Sequence, residues 1–177
     1  MLYPNSRFLW WTAARFLLVL VVLQFAWSQA RGTALERAVI DHATVGTAVG
    51  LIRMLDPQLP VVAQGARISA PGGGVNVLNG CEGTEVLFLL LAALVAAPLS
   101  LRARALGVLL GTVWVFALNQ LRVVALFFSF RSDRALFDQL HGLVAPLLLI
   151  VLVLAFFVLL LQWDVRGQPG VAPGEPG

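Results

Sequence analysis

Residues 142–163 read GLVAPLLLIVLVLAFFVLLLQW, twenty-two positions without a charge that close on a tryptophan. A helix rises about 1.5 Å per residue, so about 20 apolar residues cross a hydrocarbon core about 30 Å thick. The stretch has that length, and Trp163 suits the membrane–water boundary. Three more stretches read the same way: 8–27, which opens near Trp10 and Trp11 and is interrupted by Arg15; 84–101; and 105–128, which contains Arg122. Of 177 residues, 59% are hydrophobic and 12% charged, and the mean hydropathy is +0.88. Such a balance excludes an ordinary water-soluble globule. We expect an all-α integral membrane protein with about four transmembrane helices. Residues 1–166 would form one membrane-embedded domain, and the Gly/Pro-rich residues 167–177 a disordered tail.

The first stretch has two readings. Arg7 ahead of an apolar run and the small residues around Ser28-Gln29-Ala30 fit a cleaved signal peptide, whereas the length of the run fits a retained anchor. Either one exports the segment after it. Between the first two spans, Leu35, Val39, His42, Val45, Val49, Ile52 and Leu55 recur every three or four residues, opposite Glu36, Arg37, Asp41, Thr44 and Thr47. That pattern predicts an amphipathic helix in the membrane interface. Pro57 and Pro60 end it. Residues 66–69 and 75–78 then flank Pro71-Gly72-Gly73-Gly74, which predicts a small extracytoplasmic β-hairpin. The glycines are not a phosphate loop, because they lack a Lys-Ser/Thr ending.

All 12 basic residues are arginines, set against 9 acids, and the pI is near 10.4. The arginines stand scattered along the chain, so no basic stripe exists to hold nucleic acid. They speak instead to topology. Arg7, Arg102, Arg104 and Arg166 flank spans on one side and mark it as cytoplasmic, while Arg131 and Arg134 point the other way. One cysteine allows neither an internal disulfide nor a Cys-rich metal site, and no metal or other cofactor is expected.

Which residues share a face does not depend on that orientation. Cys81 immediately precedes the second span. The chain crosses to Arg104 and turns back, and eighteen residues later Arg122 lies about 27 Å higher, at the level of Cys81 again. His141 opens the last span after a loop on that same side. Arginine inside an apolar run is costly and usually faces a bundle interior for a functional reason, although a snorkelling Arg122, a packing Cys81 and a His141 that merely marks a helix entrance are the bland alternatives. Together the three suit acyl transfer. A thiolate attacks, and its pKa falls at a helix N-terminus and beside Arg or protonated His. A fixed cation stabilises the oxyanion, and an imidazole moves the proton. Glu82 and Glu85 oppose the thiolate. His42, on the apolar stripe, reads as packing or interfacial.

Asn79-Gly80-Cys81-Glu82-Gly83 ahead of one membrane helix, Asn119-Gln120-Leu121-Arg122 late in the next and His141 at the mouth of the last resemble the Cys, Asn-x-x-Arg and His blocks of the exosortase/archaeosortase family, and most closely its compact exosortase H type. The resemblance covers residues 75–161. It implies a multi-pass cysteine transpeptidase or protease of the bacterial inner membrane, with its active site on the extracytoplasmic face. Its partners would be exported proteins that end in a short motif, a transmembrane helix and a basic segment, besides membrane lipid. By that resemblance Cys81 is the nucleophile, Arg122 the oxyanion partner, His141 the acid/base and Asn119 an orienting residue. Glu82 departs from the family, which often has Ser or Asn there. Two other classes compete with this one. A non-catalytic membrane assembly factor would use Arg122 to pair with a partner helix. A rhomboid-like serine protease lacks its Gly-x-Ser-x-Gly, since none of the serines sits in that setting.

Overall fold

Free N–H groups at a helix start need acceptors, and short polar side chains supply them at three places here. The computed structural model describes residues 6–78 and 80–167. Its helices are α1 (Ser6–Ala30), α2 (Ala34–Leu55), α3 (Thr84–Ala96), α4 (Leu101–Ser132) and α5 (Arg134–Gly167). Thr33 Oγ1 accepts from Leu35 N at the start of α2, Ser100 Oγ from Ala103 N at α4, and Asp133 Oδ1 from Ala135 N and Leu136 N at α5. Asn79 and the tail beyond Gly167 lie outside the described residues.

The protein is a multi-pass helical membrane protein, but its long helices differ from those expected. α1, α2, α4 and α5 are each long and apolar enough to cross a membrane. The span expected over 84–101 is shorter: α3 has 13 residues, or about 20 Å. Pro98 cuts it, because a residue ahead of proline avoids the helical region, and Ala97 is extended (φ −69°, ψ 146°). Conversely, α4 is longer than 105–128 and takes Arg102 and Arg104 into its first turn. No loop precedes α5 either. Asp133 is the single non-helical residue after α4, so α5 starts at Arg134, well before His141.

Helix α2 is not a regular α-helix, which changes its buried face. Residues Ala38–Gly46 form π-helical turns, and Thr44 Oγ1 donates to Val39 O at 2.8 Å, five residues back. Wider turns shift the register. Thr44 therefore points inward, whereas Leu35, His42 and Leu55, expected on the apolar stripe, are exposed. Ile40, Val45, Ala48, Val49 and Ile52 join Val123, Val124 and Phe127 of α4 in one core.

The expected hairpin is a three-stranded antiparallel sheet, β1 (Val62–Gln64), β2 (Arg67–Ala70) and β3 (Gly73–Asn76), in that order. β1 went unforeseen because three residues carry no readable alternation. Pro71 and a left-handed Gly72 (φ +86°) make the β2–β3 turn, with Ile68 opposite Val75. Gly74 is obligatory, since a Cβ there would collide with Ile68 O. Ile68 is buried in the same core as α2, and Arg131 of α4 donates to Pro71 O at 2.7 Å, tying the sheet to the end of α4.

A second core joins α3, α4 and α5 through Leu90, Leu94, Ala103, Val115, Val153 and Leu160. Gly107 and Gly111, four apart on α4, make this approach possible. A Cβ on Gly107 would meet Leu160 and Leu94 side chains at 2.6 and 2.7 Å, and one on Gly111 would meet Leu90 at 2.6 Å. At the far end, Arg104 donates from Nε to Leu94 O and from Nη2 to Ala97 O, neutralising the free carbonyls that end α3.

Candidate active site

Cys81 sits in a turn between β3 and α3 that two glycines shape. Gly80 (φ +93°) and Gly83 (φ +84°) are both left-handed. Cys81 N donates to Leu78 O at 2.9 Å. Gly83 does a second job: a Cβ there would stand 2.9 Å from Asn119 Cγ, so its bareness lets the turn rest on α4. Asn119 holds the turn in return, donating from Nδ2 to Cys81 O at 3.1 Å. One turn later, Arg122 Nη2 approaches Cys81 Sγ at 4.0 Å. The positions i and i+3 of Asn119 and Arg122 put both on one side of α4, one gripping the cysteine's backbone and the other facing its sulfur.

His141 lines the same small cavity as Cys81, of about 40 Å³, with Val77, Val123, Leu126 and Phe137 among the walls. It lies in a π-helical turn, Leu140–Val144. Its ring stacks on Phe137 (5.4 Å between centroids, planes 5° apart), Phe137 meets Phe130 edge-on at 5.3 Å, and Arg134 covers Phe130 at 3.6 Å. This chain of rings sets the imidazole's orientation from the junction of α4 and α5. The cavity is too small to swallow a peptide, but His141 is exposed, leaving the site open to a chain lying across it. The three residues expected to share a face are thus brought to one place. His42, exposed on α2, lines no part of this cavity.

The electrostatics differ from the expectation of a lowered thiol pKa. Burial pushes the Cys81 thiol above its ordinary value; Arg122 pulls it down, and Glu82 pushes it up again. Removal of the sulfur from water against the sheet core outweighs one guanidinium. Glu82 is itself buried. Its Oε1 accepts from Trp27 Nε1 of α1 at 3.2 Å and from Thr84 Oγ1 at 2.8 Å, while Oε2 has no hydrogen-bond partner. Arg122 Nε and Asn119 Oδ1 are also buried and unpartnered. Trp27, Gln120 and Phe137 were missed by sequence reasoning. Gln120 offered a signal, an amide in an apolar helix, and its Nε2 reaches Ala43 O in the π-helical turns of α2 at 3.5 Å.

The family model for transmembrane exosortases matches residues 4–161. The chain belongs to the exosortase family. The match covers α1 through most of α5, and so includes the cysteine turn, the Asn-x-x-Arg segment and the helix bearing His141. No curated protein and no solved structure matches the chain.

Proposed function

We propose that this exosortase is a cysteine peptidase or transpeptidase that cleaves the C-terminal sorting signal of exported proteins through a thioester. The observation that carries this reading is Arg122 Nη2 at 4.0 Å from Cys81 Sγ, in a site whose cavity His141 shares. Cys81 Sγ attacks the scissile carbonyl carbon as its proton passes to His141. The oxyanion is stabilised by Arg122, whose Nη2 faces the sulfur. Collapse breaks the C–N bond, His141 protonates the leaving amine, and an acyl thioester remains on Cys81. An amine, a hydroxyl or water then attacks that thioester and regenerates the thiol.

The site belongs on the extracytoplasmic face of the inner membrane. Arg102, Arg104 and Arg166 stand at the opposite ends of α4 and α5, where the positive-inside rule puts the cytoplasm. The two dissenting arginines have structural work near the site: Arg131 on Pro71 O and Arg134 over Phe130. Cys81→Ala tests the mechanism. A tagged exported protein that ends in a motif, an apolar helix and arginines should stay uncleaved in that variant, and normal processing would sink the reading. A non-catalytic assembly role instead makes Cys81→Ala silent and Arg122→Ala disruptive of a complex.

A further inference from the structure

The cysteine turn is held by α4 and also by the start of the chain. Asn119 of α4 grips it at Cys81 O and supports it at Gly83. The side chain of Glu82, between those two residues, reaches α1 instead. Its Oε1 accepts from Trp27 Nε1 at 3.2 Å and from Oγ1 of Thr84, the first residue of α3, at 2.8 Å. All three side chains are buried. The indole is fixed in turn, edge-on to Phe88 of α3 with ring centroids 6.4 Å apart. Such a carboxylate is an odd neighbour for a nucleophile. Burial does most to push the Cys81 thiol up, Arg122 opposes that rise and Glu82 adds to it. The charge therefore works against the thiolate, and taking a carboxylate out of water is costly. What Glu82 contributes is the tie itself, since one oxygen takes a donor from α1 and a donor from α3.

We propose that Glu82 is a positioning residue, and that Trp27, acting through it, makes α1 a retained part of the active site that sets how the turn presents Cys81 Sγ to Arg122. The proposal rests on the catalytic reading above and adds what aligns its nucleophile. Glu82 follows Cys81 directly, so any rotation of the peptide between them moves the sulfur. Displacing a reacting atom by about 1 Å costs about a hundredfold in rate, which makes a fixed turn worth a buried carboxylate. The pair also bears on the fate of α1. Trp27 immediately precedes Ser28-Gln29-Ala30, so cleavage after Ala30 would carry the indole away and leave Thr84 as the donor to a Glu82 stripped of its cover.

The test follows processing of an epitope-tagged exported protein of the same cell, one that ends in an apolar helix and arginines, by the full-length protein in its membranes. Glu82→Ala should lower kcat about tenfold and leave KM within about twofold, because alignment of the nucleophile matters in the transition state and not in uniform binding. A raised KM with kcat intact overturns the proposal. Glu82→Gln keeps Oε1 and alters only the oxygen that makes no hydrogen bond, so it should recover most of the turnover lost in Glu82→Ala, even though Cys81 alkylation reports the missing charge by a lower midpoint. A Gln variant as slow as the Ala variant makes the charge the contribution and overturns the proposal. Trp27→Phe keeps the ring beside Phe88, loses the N–H and should also lower kcat; added to Glu82→Ala it should cost nothing more, because it acts through the carboxylate. Wild-type turnover in Trp27→Phe, or losses that multiply in the double variant, overturns the proposal too. If Glu82→Ala fails to fold, kcat in Trp27→Phe decides in its place. The intact mass of the purified chain needs no substrate: residues 1–30 should be present, and a chain that begins at Arg31 overturns the proposal. Processing that survives Cys81→Ala removes the catalytic reading, whereas processing lost in Cys81→Ala and unchanged in Trp27→Phe removes only the positioning role.

Discussion

At the scale of single residues, the cysteine's surroundings act on its proton in opposite senses. Burial and Glu82 hold the thiol protonated and Arg122 favours the thiolate, with burial the largest influence. Since Cys81 is the only cysteine, alkylation rate against pH reads that balance directly. The rate should climb with pH and level off above the range of a free thiol; Glu82→Gln should bring the midpoint down, and Arg122→Ala should take it up. A midpoint that stays put in both variants would show that neither charge reaches the sulfur. The proposed mechanism adds a second test of Arg122: deleting one oxyanion donor costs about 10²–10³ in kcat, and Arg122→Lys should recover little of it because a compact ammonium lacks the planar fork of donors that a guanidinium presents. Gly83 carries a structural prediction. Gly83→Ala meets both a left-handed backbone and Asn119, and should cost about 1–3 kcal/mol of stability, with Cys81 displaced. Gly50→Ala, in a helix with open space around the site, should instead raise stability by about 0.4–1 kcal/mol. Thermal unfolding of the two variants in detergent should move in opposite directions. Cys81, Arg122 and His141 were legible as residue types at suggestive positions. The thiol's elevated pKa was not, because burial depends on which core the turn packs against.

Among elements, the informative ones are those that depart from regular helix. The π-helical turns of α2 turn Thr44 inward and His42 outward, and no three- or four-residue periodicity reveals that shift. The π-helical turn in α5 carries His141, and Phe137 one turn before it is the imidazole's stacking partner. Phe137→Ala should therefore lower kcat by freeing the imidazole and, by opening the cavity wall beside the thiol to water, bring the Cys81 alkylation midpoint down; Phe137→Tyr should restore turnover. Helix α1 bears on the site from the far side. Trp27 is its buried indole partner for Glu82, and a cleaved leader would take that partner away. Trp27→Phe keeps the ring contact with Phe88 and removes the N–H, so it should move the alkylation midpoint while leaving the protein folded. Pro98 was readable as a breaker, yet its effect on α3, a helix of 13 residues, depends on Arg104 capping the carbonyls released there.

For the whole molecule, the approach of three helices sets where the candidate site's side chains end up. Gly107 and Gly111 let α4 lie against α3 and α5, and in lipid such close packing stands in for the hydrophobic drive that water supplies elsewhere. Gly111→Leu should overpack this contact at a cost of about 1–3 kcal/mol, measured by unfolding in micelles, and should reduce turnover in proportion to the fraction unfolded. A change in turnover with no change in stability would mean that the glycines serve the site rather than the bundle. The proposed orientation makes a prediction for Cys81: a membrane-impermeant maleimide added to spheroplasts should label it from outside. The sequence by itself determined the membrane as solvent, the helical class, and which polar residues stand out as candidates for a site, because apolar run length and rare intramembrane polar groups are local properties. Tertiary structure alone decided that Asn119 grips the cysteine's carbonyl, that Glu82 is sealed under Trp27, and that α4 and α5 part beside Arg122. Those facts are contacts between segments far apart in the chain, and periodicity within one segment holds no information about its neighbour across the bundle.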